Sequence, residues 1–597
     1  MALPIEDYAL IGDCQTAALV GKDGSVDWLC FPRFDSPACF AALLGTPGNG
    51  RWRIAPAGGV RSVRRRYVGD TLVLETEFET EAGKFAVIDF MPIRGEAPDV
   101  VRIVEGRGGA VAVRSELVIR FDYGSIIPWV QRDDGGVTAV AGPDALHLRT
   151  PAETHGENMK TVSEFTVQAG ERVPFALTWH RSFDPVPTPV DAEASLDDTL
   201  AWWREWSGRC TYQGVRRDLV LRSLITLKAL QYLPSGGIAA AATTSLPEFI
   251  GGVRNWDYRY CWLRDATFTL LTLVNAGYTE EARAWREWLL RAVAGDPSKL
   301  QIMYGLGGER RLDEYQVPWL SGYEGSKPVR VGNAASTQFQ LDVYGEVADA
   351  LHHARLAGLK PAPAGWALER ALVRFVGDVW DDPDEGIWEV RGPKRHFTHS
   401  KVMAWVALDR AIKSAEKFGL DGPIDAWRGL RRAVRDRVCR DGFDPAMNSF
   451  VQSFGSDLLD ASLLMIPLVG FLPPSDPRVR GTVEAVERHL LRDGFVLRYD
   501  TSKSDDGLPP GEGAFLACTF WLADNYALLG ERDKAERLFE RLCGLANDVG
   551  LLAEEYDPAS RRLVGNFPQA FSHIGLVDTA MNLSRPESCP AGQRKER

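Results

Sequence analysis

The hydrophobic period of this 597-residue chain changes once, and that change limits the possible folds more than any single motif does. From about residue 5 to 190 there are short alternating or β-branched runs, such as TLVLETEFET (71–80), KFAVIDFMPI (84–93) and VTAVAGPDALHLRT (137–150). Gly, Asp and Pro separate these runs, which is the pattern of an antiparallel β-sandwich. The segment DAEASLDDTLAWWREWSGRC (191–210) then takes a helical period, with Asp and Ser near its start. Helix-period segments follow near 216–232, 263–276, 279–293, 334–357, 364–379 and 398–418. A second set lies near 424–439, 458–468, 476–491, 511–529, 532–547 and 568–583. Twelve helices suit six stacked hairpins closed into a toroid, an (α/α)6 barrel. The expected fold class is therefore a multidomain α and β chain, an N-terminal antiparallel β-sandwich followed by an (α/α)6 barrel. Its expected divisions are a sandwich at 1–195, a linker helix at 196–214, a catalytic barrel at 215–585 and a disordered tail at 586–597.

Polar and aromatic residues cluster before every second barrel helix, at RNWDYRYCWLRDA, GYEGSKPVRVGNAAS, GIWEVRGPKRHFTHS, LPPGEGAF and LLAEEYDP. Inner and outer helices alternate in such a toroid, so these loops converge on one central funnel. Several activities are disfavoured. A formal charge of −12 argues against a phosphate-backbone partner. No apolar run reaches the roughly 20 residues of a membrane span, and the start, MALPIEDYALIGD, is acidic where a signal peptide is basic. The expectation is a cytoplasmic protein with no nucleic-acid or membrane partner; a homo-oligomer stays open. The nine cysteines are scattered without a C-x-x-C pair, which predicts buried free thiols. The histidines lack ligand spacing, although His396 and His399 share a helix start; no metal and no cofactor is implied. Phosphate-binding and nucleophile-elbow motifs are missing.

Carboxylates, arginines and tryptophans remain in the clustered loops. Aromatic rings cover the apolar face of a sugar, while charged side chains grip its hydroxyls. Hydrolysing a glycosidic bond takes one protonated carboxyl and one carboxylate acting from the other side. Glu389 beside Trp388 suits the acid, because an aromatic, poorly hydrated setting favours a neutral carboxyl. Glu554 suits the base. An isolated loop glutamate is ordinarily a structural ion-pair partner, and for Glu555 that reading prevails, since adjacent carboxylates repel. Glu512 is equally suited to capping its helix. Arg264 and Asp265 open a helix where an Asp is also an ordinary choice, Tyr258 and Trp262 are also suited to a core, and His573 reads as a hydrogen-bonded barrel residue.

Taken together, DYRYCWLRDATF, WEVRG and LLAEEYDP resemble glycoside hydrolase family 15, the glucoamylases and some prokaryotic trehalases. The resemblance spans essentially the whole chain, and the opening segment IEDYALIGDCQTAALVGKDGSVDWLCFPRFDSPACFAALLG looks like that of trehalase-type bacterial members. It implies Glu389 as general acid and Glu554 as general base. It further implies Asp257, Tyr258, Trp262, Arg264, Asp265, Trp388 and Arg498 as sugar-binding residues, and Ser572 as a serine that hydrogen-bonds the base. Two departures stand out: Val390 and Glu555 replace a Glu and a Gln of the fungal members. The implied partner is a small neutral sugar, trehalose or a short α-glucan, and the implied reaction is inverting hydrolysis that releases glucose. The alternatives are a glucoamylase or isomaltose-type glucohydrolase using the same acid and base, a sugar phosphorylase, against which Glu554 argues, and a non-catalytic glycan-binding protein.

Overall fold

The computed structural model describes residues 2–133, 135–359, 363–503 and 506–584, without the side chains of 266, 267, 363 and 364. The tail expected at 586–597 lies outside the described residues. In the N-terminal part the strands run in the order Tyr8–Gly12, Ala17–Gly21, Ser25–Cys30, Arg51–Pro56, Asp99–Val118, Arg172–Arg181, Asp144–Arg149, Gly136–Ala141 and Trp129–Asp133. The pairings are antiparallel, and the 20-residue strand Asp99–Val118 is their hub. Its first half pairs with Gly83–Phe90 and Arg172–Arg181, and its second half with Arg51–Pro56 and Lys160–Gln168. The change of partners falls on the run Gly106–Arg107–Gly108–Gly109. A Cβ on Gly106 would come within 1.9 Å of the Gln168 carbonyl oxygen, and Gly109 has φ +72°, so the strand turns where only glycine fits.

The helical part closes on itself. Ala266–Asn275 packs on Asp342–Leu356, which packs on Thr398–Phe418. The ring continues through the short Ala461–Leu464 and Met465–Leu468 turns to Leu516–Leu528 and Ala570–Ser584, which returns to Ala266–Asn275. This is the inner ring of an (α/α)6 barrel. Outside it lie Arg217–Ala229, Thr279–Ala292, Pro363–Val379, Ile424–Asp441, Pro477–His489 and Arg532–Cys543. Burial separates the two rings. Thr398–Phe418 is buried almost all round, whereas Ile424–Asp441 buries only Trp427, Val434 and Val438, one stripe of an amphipathic helix. Each expected barrel helix has a counterpart, although that at 458–468 is only a 3₁₀ turn and a short α-helical turn, that at 532–547 ends at Cys543, and two others start late. Residues 334–337 form a 3₁₀ turn and 514–515 a strand, so those two helices begin at Asp342 and Leu516. The switch segment is the helix Ala192–Gly208, and Asp191 caps it by accepting from the Glu193 and Ala194 N–H groups.

The two parts share one apolar core, and polar anchors fix their registration. The Trp28 indole donates to the Ala242 carbonyl at 2.9 Å. Fully buried Arg259 holds Asp257 at 2.6 Å on its own loop, and reaches the Tyr123 hydroxyl at 2.9 Å and the Ser36 carbonyl at 3.0 Å. The sheet domain therefore braces the loop that carries Tyr258, Trp262 and Arg264. The eight described cysteines are free, seven of them buried. Among the described residues no helix is long and apolar enough to cross a membrane.

Candidate active site

The loops before the inner helices meet in a pocket lined by Tyr258, Arg264, Trp388, Glu389 and Arg498. Glu389 has φ +56°, an uncommon backbone conformation for a side-chain-bearing residue. Gln338 holds that turn, its Nε2 donating to the carbonyls of Glu389 and Val390 at 3.2 and 3.1 Å. The Trp262 indole donates to Glu389 Oε1 at 2.8 Å, and the Arg264 guanidinium lies 3.4 Å from the same oxygen. Arg264 is itself fixed by the Ile387 carbonyl at 2.9 Å and by Asp265 at 3.4 Å. Both donors address the same oxygen, Oε1. Tyr258 packs edge-on to Trp262, ring centres 5.0 Å apart. Trp388 lines the pocket, but its indole donates to Asp460 at 3.1 Å; the aromatic donor to Glu389 is Trp262.

Glu554 sits just ahead of Glu555–Asp557, the middle strand between Ala514–Phe515 and Arg562–Val564. Its side chain is fully buried. Oε2 accepts from the Asn566 N–H at 3.1 Å; Oε1 has no partner at hydrogen-bond geometry among the described residues, although the Tyr258 hydroxyl is near enough to favour the ionised carboxylate. A Cβ on Gly565, at φ +76°, would lie 2.7 Å from Glu554 Oε2, so a glycine there gives the carboxylate its room. Glu248, Glu554 and Glu555 each place an oxygen within 4.8 Å of the others, the described group whose spacing could hold a metal. Of the positive charges present, Arg254 lies 3.5 Å from Glu512, and Arg498 is nearer. Arg498 donates to Glu248 at 2.7 Å and Glu512 at 2.6 Å, and lies 3.4 Å from Glu555. Burial, then the charge of Glu248, raises the Glu554 carboxyl from the ordinary 4.5 to about 8; burial likewise raises Glu555.

Other residues singled out in the sequence fall further away. Asp257 holds Arg259 and the Gly332 N–H at 3.1 Å, so it shapes the loop from behind. Asp265 is a buried partner of Arg264, and Glu555 a buried neighbour of Arg498. Glu512 does not cap a helix: the following helix starts at Leu516 with Phe515 at its cap, and Glu512 pairs with Arg498 instead. The Ser572 hydroxyl reaches the Glu554 backbone carbonyl at 3.5 Å, not the carboxylate, because the helix from Ala570 passes behind that strand. His573 is the hydrogen-bonded barrel residue expected, with Ser223 at 2.9 Å. Glu248, Arg254, Trp256 and Arg391 line the pocket without having been singled out; the signal available was their position in or beside the same aromatic and acidic loops.

The sequence model of glycosyl hydrolases family 15 matches residues 214–581, and a trehalase-like N-terminal model matches residues 1–174. The chain is 38% identical to a trehalase of Mycobacterium tuberculosis over 98% of this chain and 90% of that one. It is 33% identical to a trehalase of Thermoplasma volcanium over 97% of this chain and 93% of that one. The crystal structure of a bacterial glucoamylase complexed with acarbose shares the fold, with a TM-score of 0.74 at 11% identity over 100% of this chain and 97% of that one. The barrel, the paired loops and these matches agree, and the chain belongs to glycosyl hydrolases family 15.

Proposed function

We propose that the chain hydrolyses α,α-trehalose to two glucose molecules by single displacement, with Glu389 as general acid and Glu554 as general base. The observation that carries this reading is the way the four carboxyl oxygens are divided. Two donors hold Glu389 Oε1, so Oε2 presents the proton to the glycosidic oxygen. The Asn566 N–H holds Glu554 Oε2, so Oε1 is the atom that takes a proton from water. As the bond from the anomeric carbon to the glycosidic oxygen breaks, the water oxygen bonds to that carbon from the opposite face and inverts it. One proton passes from Glu389 to the leaving sugar, another from water to Glu554, and solvent resets both groups. Tyr258, Trp262, Arg264, Trp388 and Arg498 bind the sugar under attack.

The full-length likeness to curated trehalases favours trehalose over longer glucans. So does Val390 beside the acid, which offers hydrocarbon and no hydroxyl partner to the neighbouring sugar. A panel of trehalose, maltotetraose and isomaltose tests this. The expected result is a kcat/KM for trehalose at least roughly tenfold above the others; faster release of glucose from maltotetraose would replace the trehalase reading with that of a glucoamylase.

A further inference from the structure

Towards solvent the pocket changes character. Tyr258, Trp388 and Arg498 line it as buried side chains, whereas Trp256 and Val390 are half-buried and 36% of the Arg391 side chain is exposed. Arg391 comes two residues after Glu389, and its N–H donates to the Asp506 carbonyl at 2.9 Å, which pins its backbone to the opposite wall. Its guanidinium carbon lies 4.4 Å from the centre of the Trp256 ring. Arg330 lies at the same distance from that ring, and Glu314 bridges the two arginines at 3.5 and 3.4 Å. The Arg391 side chain is thus an ordered guanidinium on an aromatic plate rather than a loose surface charge.

The other rim groups have little to offer a hydroxyl. Val390 is hydrocarbon. So is Leu508. Asn333, buried behind them, already uses its amide, Oδ1 accepting from the Ala335 N–H at 3.0 Å and Nδ2 donating to the Asp257 carbonyl at 3.4 Å. Since Glu389 addresses the glycosidic oxygen, whatever lies beyond it towards solvent is the leaving group. We propose that Arg391, stacked on Trp256, is the specificity-determining residue for the departing sugar, its guanidinium fork donating to two neighbouring hydroxyls of a neutral hexose. This rests on the assignment of Glu389 as acid and deepens it, because it assigns the recognition of the second sugar to a charge that travels with the acid's own loop. A fork can match a pair of oxygens, which an ammonium cannot.

The test compares two substrates that share the attacked glucose and differ in the leaving group: trehalose, and α-glucosyl fluoride, whose leaving group has no hydroxyls. The readout is the ratio of kcat/KM for trehalose to that for the fluoride. Arg391→Ala is expected to lower this ratio roughly tenfold or more, and Arg391→Lys to recover only part of it. Should the Ala variant fail to fold, Arg391→Lys and Arg391→Gln carry the comparison. An unchanged ratio overturns the proposal, whether both rates fall together, as a purely structural role of the acid loop would cause, or neither falls. A wild-type enzyme that turns over the fluoride but not trehalose overturns the trehalase reading alone. The ratio is then taken with the disaccharide that it does cleave.

Discussion

Glu389 lines the pocket, whereas Glu554 lies buried beside Tyr258 of that lining, and their surroundings are very different. Glu389 sits on a loop in a left-handed conformation, 17% exposed, and meets an indole and a guanidinium. Glu554 is fully buried beside a short strand and shares its neighbourhood with Glu248 and Glu555, balanced by Arg498. One wall therefore spends backbone strain, of order 1–3 kcal/mol, to hold the Glu389 carboxyl on the pocket. The other spends desolvation and like-charge repulsion to raise the proton affinity of a carboxylate, which makes it a stronger base. The contrast teaches that a protein can separate two chemically identical side chains by environment alone.

The contrast breaks most visibly if either carboxyl is neutralised. Glu389→Gln and Glu554→Gln should each lower kcat by roughly a hundred- to ten-thousandfold, measured by glucose release. Glu554→Gln should also change how stability depends on pH. The raised proton affinity of Glu554 favours the folded state while the group is protonated. That contribution is full below the ordinary 4.5 and is lost as pH rises through about 8. Glu554→Gln should therefore melt higher than the wild type above that pH, measured by thermal unfolding across the pH range. Arg498→Met strikes the base wall alone: it strands Glu248 and leaves Glu512 only Arg254 at 3.5 Å, and should cost about 3–5 kcal/mol in urea denaturation. A subtler probe is Glu248→Gln. Removing this like charge lowers the proton affinity of Glu554, so the acid limb of the kcat/KM profile should move to lower pH; a shift upward, or none, would contradict the electrostatic account of that wall.

Much of this was legible in the sequence, for a physical reason. Long amphipathic or all-apolar segments carry a period, so the outer helix Ile424–Asp441 and the buried inner helix Thr398–Phe418 could both be placed. The strands that set the base wall, Ala514–Phe515, Glu555–Asp557 and Arg562–Val564, are two or three residues long and carry none. Glu389 and Glu554 stood out through their motifs. Glu248 did not, because what gives it a role is an arginine 250 positions away, and pairing over such a span leaves no local pattern. The same holds for Glu512, which reads as a helix cap until Arg498 is brought against it. Ser572 shows the limit of a carried-over role: its hydroxyl meets the backbone of Glu554 and not its carboxylate.

The central claim is that Glu389 and Glu554 act from opposite faces in one displacement, and anomer-resolved proton NMR of trehalose hydrolysis tests it most directly. Inversion at the attacked carbon, with release of the other ring in its original configuration, predicts equal amounts of β- and α-glucose before mutarotation. Initial formation of α-glucose alone would mean retention, and would contradict the account.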